Sequence, residues 1–216
     1  MKLSDVWRSD LLKSLLLGMI ITWLGQSCFK LQSGELVVVL DPFSKDIGLT
    51  PPRFRADLVL VSHDHYDHSN ASALGGEPFL ISGPGEYEVK GKERGMNTIY
   101  NIKMEDLSIV HLGDFGEGEM RDETLEEVGE ADILMVPVGG KYTVGAEEAA
   151  KIIKQIEPRY VIPMHYKIPE LKLDLDGVEK FLKEMGSKIT PQDKLAIKRK
   201  DIGEEEKTEV VVLKPA

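Results

Sequence analysis

Short apolar runs at residues 20–24, 27–31 and 36–40, broken by polar pairs, predict two or three strands, with Gln32-Ser33-Gly34-Glu35 as a hairpin turn. Asp41-Pro42 ends the third strand, because proline has no N–H to give to a central ladder. Asp41 there either caps a turn or lines a site, and the turn is the plainer reading. Further runs at 58–61, 78–82, 87–89, 96–102 and 107–112 are bounded by glycine, proline or charge, and predict more strands, the later ones as a second antiparallel set. Residues 69–74 carry the small and capping residues of a short helix that Gly75-Gly76 stops.

The second half changes period. A strand at 133–138, a helix at 145–156, a strand at 159–164 and a helix at 175–185 follow one another. In the first of these helices Ala149, Ile152, Ile153 and Ile156 recur at i, i+3, i+4 and i+7, so one face belongs to a core. Residues 195–197 and 209–213 read as closing strands on either side of a solvated Glu204-Glu205-Glu206 turn. Strands alternating with helices imply a layered α/β (α+β) protein, with sheet on sheet inside and helices outside. No linker interrupts residues 19–216, which are expected to form a single domain.

Residues 1–18 need separate treatment. Lys2, Arg8 and Lys13 precede an apolar run, as in a secretory leader, but Asp5 and Asp10 dilute the charge. The run is too short to span a bilayer, and no small-residue cleavage site follows, so a short amphipathic helix or an upstream extension is expected.

Composition narrows the function. A net charge of −10 argues against a broad nucleic-acid footprint, which Lys and Arg would have to supply. A single cysteine, Cys28, excludes an intrachain disulfide and fits a reducing, cytoplasmic compartment. A small-molecule substrate and no membrane span are therefore expected.

The histidines carry the chemistry. Three of the five lie in His63-Asp64-His65-Tyr66-Asp67-His68, directly after the strand at 58–61. If that stretch is extended, His63, His65 and Asp67 leave one face and His68 turns in beside them. Imidazole and carboxylate together suit zinc and its first-row neighbours better than magnesium. The other two histidines also follow strands: His111 comes after 107–110 and His165 after 160–164. Gly113 lets the chain bend and bring Asp114 to the same place. Five histidines and two aspartates are thus expected along one edge of the sheets. The loops Gly139-Gly140-Lys141-Tyr142-Thr143 and Tyr166-Lys167 should rim that edge, making Lys141, Tyr142, Tyr166 and Lys167 candidate substrate contacts. Glu86 reads as an exposed turn carboxylate.

His63-x-His65-x-Asp67-His68, His111-x-Gly113-Asp114 and Pro163-Met164-His165 resemble, in order, the metal-binding motifs of the metallo-β-lactamase-fold hydrolases. Trp23-Leu24-Gly25-Gln26-Ser27-Cys28-Phe29 and Asp41-Pro42 resemble the opening of a branch described as predicted zinc-dependent hydrolases. The resemblance implies an αββα sandwich and a binuclear site of Zn2+, with Mn2+ or Fe2+ as alternatives. It implies that His63, His65 and a third histidine hold one metal, that Asp67, His68 and His165 hold the other, and that Asp114 bridges them. Two adjacent cations would activate water at neutral pH, with Asp67 as the residue that orients it and takes its proton. The implied function is a metal-dependent hydrolase of a small ester, lactone or phosphoester. The alternatives are a phosphodiesterase or nuclease of the same fold, and a noncatalytic metal-binding or redox-partner protein. Two departures stand out. Only His111 is available as the third histidine, and Gln26 stands where related branches often have histidine.

Overall fold

A computed structural model describes residues 18–83, 97–203 and 207–216. The expectations for residues 1–17, for a strand at 87–89, for Glu86 and for the Glu204-Glu205-Glu206 turn lie outside the described residues.

Six strands form the first sheet: β1 (Met19–Gly25), β2 (Cys28–Ser33), β3 (Leu36–Leu40), β4 (Leu58–Val61), β5 (Phe79–Ser82) and β10 (Leu195–Ile197). Five form the second: β6 (Tyr100–Met104), β7 (Leu107–His111), β8 (Ile133–Pro137), β9 (Tyr160–Met164) and β11 (Glu209–Val210). Their orders are β10-β1-β2-β3-β4-β5 and β11-β9-β8-β7-β6. The helices are α1 (Asp122–Val128), α2 (Ala146–Ile156) and α3 (Val178–Glu184). The expected αββα layering is what forms.

β1 shows the half-buried pattern its sequence predicts, with Met19, Ile21 and Trp23 facing the core. β8 is buried at every position, as a central strand covered on both faces must be. On α2, Ala149, Ile152, Ile153 and Ile156 are all buried, and the helix packs on β8 and α3.

Several strand pairings differ from expectation. β5 joins the first sheet parallel to β4 rather than opening an antiparallel second set. The second sheet is antiparallel only at the β6–β7 hairpin, whose turn residues Glu105 and Asp106 both have positive φ, the conformation a tight two-residue hairpin turn requires. β7, β8, β9 and β11 are parallel because a helix or long crossover separates each strand from the next. The segment expected to be a short helix at 69–74 is a single 3-10 turn, Ala71–Ala73. α1 was not anticipated. Its first turn is acidic, its N-cap Arg121 makes no capping bond, and only Thr124 and Val128 are buried, so it leaves little apolar period to read.

The pairings send β3, β4 and β5 in one direction, and β1, antiparallel to β2 as β3 is, runs with them. The parallel strands β7, β8 and β9 likewise end at one edge of the second sheet. The segments after these strands carry nearly every polar group considered below.

Candidate metal centre

Four of the segments that enter this edge turn in a left-handed residue: Gln26 (φ 54°) after β1, Asp41 (φ 44°) after β3, Gly113 (φ 54°) after β7 and His165 (φ 51°) after β9. Three of the four are not glycine, and such strained positions persist where the surrounding structure holds them for function. Each turn folds its segment over the sheet edge instead of prolonging the strand. The six-residue motif after β4 is likewise not extended. His65 N–H donates to the His63 carbonyl at 3.1 Å, and His68 N–H to the His65 carbonyl at 2.9 Å. The premise that His63, His65 and Asp67 share a face by strand alternation is therefore corrected, since a compact turn presents them.

His68 is the centre of the cluster. Its Nε2 lies 3.2 Å from Asp114 Oδ1 and 3.5 Å from Asp67 Oδ2. His165 Nε2 is 3.4 Å from the same Asp114 oxygen, and His63 Nε2 is 4.0 Å from Asp114 Oδ2. Two overlapping groups result, His63 with His68 and Asp114, and Asp67 with His68 and His165. Within each, the donor atoms lie within 4.8 Å of one another.

The supporting bonds fix which nitrogen faces inward. His68 Nδ1–H donates to Asp41 Oδ2 at 3.0 Å, which turns Nε2 toward Asp67 and Asp114. Asp41 is itself held by Ser62 N–H at 2.7 Å and by the Ser62 hydroxyl at 2.8 Å. Because that hydroxyl donates to Asp41, it accepts from His63 Nδ1–H at 3.0 Å, so the bare Nε2 of His63 faces Asp114. Asn97 clamps the Asp114 turn from both sides. Its Nδ2 donates to the Leu112 carbonyl at 2.9 Å, and its Oδ1 accepts from Asp114 N–H at 2.8 Å. A Cβ on Gly113 would stand 2.2 Å from that Oδ1, so only glycine lets the clamp close. Gly139 serves His165 in the same way, since a Cβ there would meet the His165 carbonyl at 2.1 Å.

Electrostatics follow this geometry. Burial pushes the Asp67 carboxyl up, but the nearby His68, with the His65 bond, outweighs it and holds Asp67 well below the usual carboxylate range. Asp114 is held low by His165 and His68 against the same burial. Burial disfavours the His68 imidazolium, yet Asp114 and Asp41 outweigh it and push that histidine well above its ordinary value. Burial, then the charge of His68, pulls His63 down. The edge is thus a focus of negative charge aimed at one small volume.

Not every expected ligand joins the cluster. His111 is fully buried and spends both ring nitrogens on backbone: Nε2–H donates to the Ser27 carbonyl at 2.9 Å, and Nδ1 accepts from Gly113 N–H at 3.1 Å. It caps the turn that presents Asp114 rather than standing beside it. His65 sits at the mouth with its side chain 53% exposed, its Nδ1–H given to Asp67 Oδ1 and its Nε2 facing outward from that bond. Of the proposed substrate contacts, Lys141 pairs with Asp174, and Lys167 donates to the Leu171 and Leu173 carbonyls. Tyr166 is buried with its ring 4.9 Å from Trp23, whereas Tyr142, like the two lysines, is exposed. Sequence reasoning missed Ser62, Asn97 and the exposed Tyr66, and it set Asp41 down as a turn residue. Asp41 carried a usable signal, a carboxylate at a strand end before proline. Asn97 carried none, because nothing in the sequence pairs it with residues 112–114.

The same architecture is found in known proteins. Residues 20–93 and 88–165 match the β-lactamase superfamily domain. A protein of Thermotoga maritima, whose crystal structure was assigned to a Zn-dependent hydrolase of the metallo-β-lactamase superfamily, is 34% identical. The alignment covers 90% of this chain and 100% of that one, with a TM-score of 0.71. The chain belongs to the metallo-β-lactamase superfamily. Among its metallo-β-lactamase relatives are UPF0173 metal-dependent hydrolases of Methanopyrus kandleri and Pyrococcus furiosus, each 27% identical. Those alignments cover 77% and 76% of this chain and 92% of each relative. No helix among the described residues of this metallo-β-lactamase chain is long and apolar enough to cross a membrane.

Proposed function

We propose that this chain is a metal-dependent hydrolase of a small ester or lactone, with a phosphoester the less supported member of the same class, working in the cytoplasm. The observation that carries the reading is the pair His68 Nε2 and Asp114 Oδ1. They lie 3.2 Å apart, both are buried, and neither has a hydrogen-bond partner. Leaving such groups unmet is costly, and a ring nitrogen facing a carboxylate oxygen calls for positive charge between them, which a metal ion can supply in place of a proton. The donor set is imidazole and carboxylate, which fits Zn2+, with Mn2+ or Fe2+ as alternatives.

Asp67, His68 and His165 would hold one ion. His63 would hold a second, and Asp114 would serve both. Ions of this kind polarise the scissile bond and lower the pKa of water. The rest of the work falls to the chain. Asp41 and Ser62 hold the rings of His68 and His63 in the tautomers that present Nε2. Asp67 is ionised and placed to orient attacking water and take its proton, and the Nδ1–H of His65, given to Asp67 Oδ1, holds that carboxylate in place. With Lys141 and Lys167 engaged elsewhere, the rim favours a neutral substrate over an anionic one.

The test is metal content together with turnover on matched esters, lactones and phosphodiesters. About two equivalents per chain are expected, and Asp67→Ala should cut turnover by roughly 10²–10⁴-fold. Because His68 joins Asp67 and His165 at one position, His68→Ala should empty that position and lower the metal content by about one equivalent. Full metal content in His68→Ala would refute the site, and bound metal with no turnover across the panel would make the chain a binding protein.

A further inference from the structure

Gln26 has no role in the site as assembled so far, yet it is fully buried and turned into it. It occupies the β1–β2 turn with φ 54°, a conformation that turn position normally reserves for glycine. Its Nε2 donates to Asp67 Oδ2 at 3.0 Å. The amide orientation is fixed by chemistry, since a carboxylate can only accept. The Gln26 carbonyl accepts from the Trp23 indole N–H at 2.9 Å and from His165 N–H at 3.0 Å. One residue therefore grips two ligand-bearing loops, one through its side chain and one through its backbone. Two further atoms here are buried without a partner: Gln26 Oε1, an acceptor, and His165 Nδ1, which carries the hydrogen whenever Nε2 is the ligand nitrogen.

We propose that Gln26 is a positioning residue that sets Asp67 and His165 as a pair, and so determines the affinity and geometry of the metal position these two share with His68. This rests on the metal-site reading above. The left-handed backbone aims the side chain at Asp67, and the amide supplies a donor that stays neutral whatever the pH. Directed at Oδ2, the bond stops the carboxylate from rotating while Oδ1 remains on His65. An indole anchored to the same carbonyl keeps the turn from relaxing.

The test uses the full chain stripped of metal and titrated with Zn2+ and Co2+, comparing wild type with Gln26→Ala, Gln26→Glu and Gln26→His. Thermal melting of the metal-free proteins reports folding. In Gln26→Ala one equivalent should weaken about 10–100-fold, as expected when a ligand loses its supporting hydrogen bond, while the other keeps its affinity. The Co2+ absorption bands of the weakened position should shift. Gln26→Glu keeps the volume but replaces the donor with a second carboxylate, and should weaken the same equivalent further. Gln26→His keeps an N–H donor and should recover most of the affinity. Wild-type Zn2+ affinity and Co2+ bands in Gln26→Glu would overturn the proposal, even if Gln26→Ala fails to fold. Equal weakening of both equivalents would also overturn it, because a general structural role would act on both. No stoichiometric metal in the wild type would instead refute the metal site itself.

Discussion

At the scale of single residues, the site depends on groups that never reach its centre. Asp41 accepts three hydrogen bonds, from Ser62 N–H, the Ser62 hydroxyl and His68 Nδ1–H, and it is buried to 1% side-chain exposure. An amide of the same shape cannot replace it, because its one oxygen would have to serve three donors while its NH₂ faced one of them. Asp41→Asn should therefore lower metal affinity about 10–100-fold, although the substituted residue contacts no metal. Calorimetric titration with Zn2+ measures this, and unchanged affinity would show that His68 is oriented by packing alone. Residue type at a strand end was legible in the sequence, and it located His63, Asp67, His68, Asp114 and His165 on one edge. Ring direction was not. His111 and Asp114 look equally placed as ligands, yet the turn at Gly113 sends the carboxylate forward and leaves the imidazole capping its own turn.

At the scale of elements, the sequence placed most strands but not their partners. β5 reads like any short apolar run, and only the crossover that sets Phe79 N–H on the Asp57 carbonyl makes it a parallel neighbour of β4. Such pairings depend on loop paths that local period does not encode. One bond that ties the sheets together near the site is equally nonlocal. The Tyr100 hydroxyl, on β6, donates to the Val61 carbonyl at the end of β4 at 2.7 Å, directly before the metal-binding motif. Burial, then the charge of Asp41, pushes this phenol up to about 12. A phenol that is harder to ionise in the folded protein stabilises it below the unfolded value near 10, and that contribution is lost as pH rises toward about 12. Tyr100→Phe should cost about 1 kcal/mol at neutral pH and should flatten the fall in stability over that alkaline window. Urea denaturation of both proteins at several pH values is the measurement. An undiminished alkaline fall in Tyr100→Phe would assign it to other groups.

At the scale of the molecule, three buried or nearly buried carboxylates, Asp41, Asp67 and Asp114, are gathered at one edge of a chain that already carries a net charge of −10. Folding concentrates negative charge there, and a bound cation offsets it. Any ion that binds only the folded state stabilises it by mass action. Free metal at 100 times its dissociation constant contributes about 2.7 kcal/mol, which for a chain of this size raises Tm by about 5–10 °C. The donors require neutral imidazoles and ionised carboxylates, so protons compete with the metal at every ligand. Acidification must therefore weaken binding, and the rise in Tm on adding Zn2+ should be largest above neutral pH and shrink toward pH 5. Chelator-stripped protein should show the lower Tm throughout, and stoichiometric metal should restore the higher one. The same scan on His68→Ala separates this site from adventitious surface binding. The variant should lose a large part of the metal-dependent rise, and a rise undiminished in it, or independent of pH in the wild type, would place the stabilising ion somewhere other than this edge.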